Sequence, residues 1–163
     1  MKAISEQQAS EILAGHGLAF GSWKQVSAPA HLSASVTPAR DYRSTWLAAS
    51  AVIDWLGAED WLLCSFDLSN VVLEGEAEAV SQATACSIRI TGDQPILFEK
   101  IDFGGTVQLK RFASAMLGFE WHCYFVAKGR YGVRCAAFLD GVVDFVHGDQ
   151  VSAKRLADKI SQY

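Results

Sequence analysis

A chain of 163 residues with 50% hydrophobic and 20% charged side chains has the composition of one globular domain, far from the charge-rich signature of disorder. At this length one core buries roughly 70% of the surface of the unfolded chain, so stability requires neither a metal nor a disulfide. The formal net charge of −4 argues against nucleic acid as the main partner; the absence of any run near the roughly 20 apolar residues of a membrane span and the polar start from Met1 to Gln8 lead to the expectation of a cytoplasmic protein without a membrane or export segment.

In chain order, Ser5 and Gln8 form a capping box before an amphipathic helix over 5–15, with Ala9, Ile12 and Leu13 on one face. Residues 28–37 are rich in Ala and Ser without a period and read as a linker or extended arm. Thr37 before Pro38 reads as an N-cap, and Tyr42, Trp46, Ala49 and Ile53 recur at helical spacing to Gly57, which predicts a helix over about 39–56. A second stripe on that helix, Leu47, Ala51 and Trp55, means burial on two sides or a partner. The run from Trp61 to Leu68 predicts a buried strand. Residues 71–85 are ambiguous between strand and helix. Thr91 to Pro95 separates 87–90 from 96–103 as a hairpin turn does. Leu109, Phe112, Ala113, Met116 and Leu117 predict a one-faced helix after Gly104 and Gly105. Three strands follow, over 121–127, 133–139 and 142–147, with the Asp140-Gly141 hairpin signal between the last two. A final helix occupies the tail from Asp149, with Asp149 or Ser152 as its cap.

The chemistry-bearing residues do not converge on a reaction. The four histidines are scattered without metal-ligand spacing, and no catalytic, metal or cofactor motif is present. Cys64, Cys86, Cys123 and Cys135 sit in apolar runs without the spacing of a zinc site and read as reduced core residues. Charge is distributed unevenly. From Ser44 to Ile88 there is no Lys or Arg, whereas Asp54, Glu59, Asp60, Asp67, Glu74, Glu76 and Glu78 are all acidic; from Lys100 to Arg134 the balance is basic. Such a segment reads as an ordinary solvated face, as a surface that steers a basic partner, or as charge neutralised where the two halves pack.

These observations predict an α+β fold: an antiparallel sheet of about five to six strands packed against helices, with residues 1–37 as an N-terminal helix and arm and 38–163 as a single domain. The element order from residue 39 is similar to that of the small acidic chaperones of bacterial type III secretion effectors, although the first 37 residues depart from that pattern. This resemblance implies a homodimer that holds an extended client. The leading functional expectation is a non-enzymatic protein-binding protein of a bacterial or phage system, inhibitor or immunity-type, that covers a basic protein target with the acidic region 44–88 and uses Asp54, Trp55, Glu59, Asp60, Asp67, Glu74, Glu76 and Glu78 as contacts. The alternatives are the chaperone-like dimer and a small enzyme or ligand-binding domain. The latter would have its pocket between sheet and helices, lined by Trp121, His122, Tyr124 and Arg134.

Overall fold

The computed structural model describes residues 2–21, 25–29, 32, 34–66, 96–99 and 103–163. Its elements are β1 (Lys2–Ala3), α1 (Glu6–Ala14), β2 (Ala19–Phe20), β3 (Val26–Ser27), β4 (Ala34–Val36), α2 (Tyr42–Leu56), β5 (Trp61–Phe66), β6 (Ile96–Glu99), α3 (Phe103–Gly118), β7 (Cys123–Gly129), β8 (Gly132–Leu139), β9 (Val142–His147) and α4 (Gln150–Ile160). Among the described residues one sheet runs β1-β6-β5-β7-β8-β9-β4 with antiparallel pairing throughout, and β2 pairs with β3. This is the α+β class the sequence predicts. Five longer strands form the body, and two short strands from the N-terminal arm close its edges.

Alternation along the strands sorts side chains onto two faces. Cys64, Phe125, Ala136, Phe145 and Ala34 occupy paired positions across five strands. All are buried in one cluster with Val52, Phe112, Met116 and Ile160 of the helices. The aromatic rings interlock edge to face, Phe125 with Phe138 at 5.3 Å and with Phe112 at 6.2 Å. On the other face Leu63, Val126, Cys135 and Ala137 lie under Ile4, Ala9, Leu13 and Val26. The first 37 residues, set off in sequence as an arm, thus cover the second face and supply both edge strands. Cys64, Cys123 and Cys135 are fully buried thiols, which burial pushes well above their ordinary pKa. Cys86 lies outside the described residues.

Local signals decide several boundaries. The Ser5–Gln8 capping box is formed. The cap of α2 is Asp41 rather than Thr37, because its carboxylate accepts from the amides of Arg43 and Ser44 at 2.9 and 3.0 Å. Helix α2 therefore starts at Tyr42, and Pro38 precedes it. Of the strand expected over 96–103, Ile96–Glu99 is strand and Phe103 already belongs to α3, while residues 100–102 lie outside the described residues. Asp149 caps α4 through the Ser152 amide at 2.7 Å. The turn Asp140-Gly141 has both residues at positive φ, 52° and 78°, as a tight hairpin requires. The ambiguous stretch 71–85 and the first half of the hairpin over 87–95 lie outside the described residues.

Candidate functional site

The acidic stretch can be followed at Asp54, Glu59 and Asp60. Each faces a cation from the basic half of the chain: Lys110 Nζ lies 2.6 Å from Asp54, Lys128 Nζ 3.8 Å from Asp60 and Arg130 Nε 3.8 Å from Glu59. The two oppositely charged halves of the sequence meet at the C-terminal end of α2, and the three carboxylates remain more than half exposed. Asp67, Glu74, Glu76 and Glu78 lie outside the described residues.

Trp55 belongs to the interior. It is 8% exposed, donates from Nε1 to Ser152 Oγ at 2.9 Å and packs edge-on against Phe145. Arg134 stacks on it, with the guanidinium carbon 4.9 Å from the Trp55 ring and 4.7 Å from that of Tyr131. The same guanidinium donates to the Trp55 carbonyl and so caps the end of α2. Burial draws the Arg134 pKa down, and the charge of Asp149 opposes that shift.

The four residues expected to line a pocket do not come together. Trp121 is buried in the helix-face core, whereas Tyr124 belongs to the opposite face, where burial pushes its phenol up to about 12. Arg134 lies opposite Ala127, near the far end of β7, in the stack with Trp55. His122 Nε2 contacts Asp140 Oδ1 at 2.7 Å. Among the described residues no hydroxyl or thiol is hydrogen-bonded to His122, and Cys123 beside it is buried. Nor does any group of three His, Cys, Asp or Glu among the described residues form a metal site, and no helix there is long and apolar enough to cross a membrane.

A different place gathers exposed rings. A groove of about 890 Å³ opens between the start of α2 and the C-terminal half of α3, with Gly141 of the β8–β9 turn also in its lining. Pro38, Tyr42, Trp46, Ala115 and Phe119 give it an apolar lining, and Arg40, Asp41, Arg111 and Glu120 supply charge. Tyr42 is 84% and Phe119 42% exposed, and Trp46 is partly exposed. The volume lies in the range of sites that bind small molecules or single anchoring segments.

The rim of the groove holds a conformational outlier. After α3 the amide of Trp121 donates to the Met116 carbonyl and that of Glu120 to the Leu117 carbonyl, which is the Schellman arrangement. The left-handed position of that motif favours glycine, yet Glu120 occupies it with φ 58°. Its carboxylate reaches Arg40 at 3.0 Å. Backbone positions held against preference cluster at functional sites.

Sequence reading missed this groove because Tyr42 and Trp46 share a helical stripe with Ala49 and Ile53. That stripe is buried only at its C-terminal end, while its first turn projects beyond the sheet-facing core. The available signal was the run Leu117 to Trp121, where two aromatic residues flank a helix end. Compared with protein-family models, curated proteins and solved structures, the chain matches none.

Proposed function

We propose that this chain is a non-enzymatic protein-binding protein, of the inhibitor or immunity type, that holds its partner in the groove between α2 and α3. The observation that carries the reading is the exposure of Tyr42 and Phe119 on the lining of one sizeable groove. Large aromatic side chains offer much apolar area for little conformational entropy and recur as binding anchors. The placement of Trp121 and Tyr124 on opposite faces of the sheet speaks against the pocket on which the enzyme or ligand-binding alternative rested. The test is capture of a partner by the immobilised chain, then reconstitution with the purified partner. Tyr42→Ala and Phe119→Ala should each raise Kd about tenfold or more, with Tm unchanged for Tyr42→Ala, whose side chain is exposed, and a modest drop for Phe119→Ala, whose ring also packs 5.9 Å from that of Trp121. Wild-type affinity in both variants would overturn the reading.

A second reading keeps the acidic region 44–88 as the contact surface for a basic target. It is favoured by the exposure of the Asp54, Glu59 and Asp60 carboxylates despite their ion pairs. The chaperone-like dimer would use an exposed apolar surface of the same kind, and sedimentation of the free chain tests it.

A further inference from the structure

Charge inside the groove is mostly spoken for. Arg40 is engaged by Glu120 at 3.0 Å, and Asp41 accepts from two backbone amides, which together with the Ser44 hydroxyl hold its carboxyl below the ordinary 3.8. Among the described residues, Arg111 is the one charged lining side chain with neither an ion pair nor a hydrogen bond. It lies exposed on α3, three residues before Ser114 and four before Ala115 on the same wall. The chain as a whole is negative, and this free cation lines the same groove as the exposed rings of Tyr42 and Phe119.

We infer that the groove takes an acidic, apolar-anchored segment of the partner, with a carboxylate on Arg111 and a Phe- or Leu-type side chain against Tyr42, Trp46 and Phe119. The inference rests on the groove reading above and adds the chemistry of the occupant. A guanidinium presents a planar fork of donors that matches a carboxylate. A basic segment would have to lie beside Arg111, could reach Glu120 only by displacing Arg40, and would find Asp41 already answered by two amides at the N-terminal end of α2. An acidic segment gains a partner and breaks no pair already formed, and that asymmetry selects the sign of the occupant's charge.

The experiment uses fluorescein-labelled synthetic peptides in which Phe and Leu alternate with Glu, with Gln or with Lys, titrated with the full chain and followed by anisotropy. The Glu peptide should bind about tenfold tighter than the Gln peptide, and the Lys peptide weakest of the three. Arg111→Glu should reverse that order with an unchanged melting curve, since Arg111 makes no contact that the fold uses. Tyr42→Ala and Phe119→Ala should weaken all three peptides alike. A Glu peptide that binds Arg111→Glu as tightly as the wild type, or a Lys peptide that binds the wild type best, overturns the inference. If the three peptides bind equally and all are lost in Phe119→Ala, the charge assignment fails while the groove reading stands. If none binds, or binding ignores both aromatic variants, the groove reading falls as well.

Discussion

Helices α2 and α3 end in the same left-handed turn with different residues in it. At the end of α2 the position is Gly57, with φ 60°; at the end of α3 it is Glu120, with φ 58°. Around Gly57 the turn geometry, the helix cap and the burial agree, although the buried Arg134 Nε has no hydrogen-bond partner among the described residues. Arg134 donates to the Trp55 carbonyl, Trp55 is buried, and the amides of Glu59 and Asp60 both donate to the Lys128 carbonyl at 3.2 and 3.1 Å. Around Glu120 the levels disagree, because a residue that pays for a positive φ sits between an ion pair and a groove of exposed rings. Such conflict is tolerated more often where function needs the side chain, and the contrast supports the proposal that one end of the helix pair is structural and the other the contact surface.

The largest expected effect breaks the structural end. Trp55→Ala removes a buried ring from contact with Phe145, Arg134 and Ser152 and should cost about 3 to 5 kcal/mol. Denaturant unfolding measures it, and a loss below about 1 kcal/mol would mean that Trp55 is not a core residue. Gly129→Ala comes next. A Cβ there would overlap the Gly57 carbonyl, which is backbone and cannot rotate away, so a loss of about 3 kcal/mol is expected.

The two left-handed positions should then respond with opposite sign. Gly57→Ala meets only ordinary contacts, the nearest being a ring carbon of Tyr131 at 3.5 Å, so its cost is conformational, about 1 to 2 kcal/mol. Glu120→Gly relieves the same strain and loses one exposed ion pair with Arg40, so it should stabilise the chain by about 0.5 to 1 kcal/mol. Thermal unfolding of the pair checks both. Destabilisation by Glu120→Gly would remove the contrast on which the proposed contact surface rests.

Much of the fold was legible because period and punctuation point the same way. The β7–β8–β9 meander, the amphipathic α4 and the capped α1 all follow from alternation, from Asp140-Gly141 and from Ser, Asp and Gln at helix starts. The role of residues 1–37 was not legible. Strands of two or three residues carry no period of their own, and β1 and β4 exist only because β6 and β9 offer them edges. The start of α2 was displaced for a similar reason: Thr37-Pro38 is a good local signal, but Asp41 satisfies two amides and prevails. Of the candidate residues, Trp55 stood open between burial and a partner because two stripes share one helix, and the structure buries it. The groove was hidden because exposure of Tyr42 depends on where the sheet stops, which no local pattern encodes.

The smallest effect on stability gives the finest comparison of the two ends. Glu59 and Asp60 face Arg130 and Lys128 at 3.8 Å each, distances at which exposed pairs contribute within about 0.5 kcal/mol, so Glu59→Gln with Asp60→Gln should leave unfolding almost unchanged. Their effect on association is where the readings part. If the partner docks in the groove, these carboxylates lie at the opposite end of α2, already answered by cations of the same chain, and the on-rate should stay within about twofold of the wild type at low salt. If the acidic region instead meets a basic target, the field it projects steers the encounter; replacing Glu59, Asp60 and Glu76 by Gln should then lower the on-rate about tenfold at low salt, with the difference fading as the screening length falls to roughly 3 Å near 1 M salt. Stopped-flow association at two salt concentrations separates the outcomes. Because steering acts on the on-rate while buried anchors act on the off-rate, a tenfold slower association would move recognition to the Glu59 end even if Phe119→Ala also raised the off-rate.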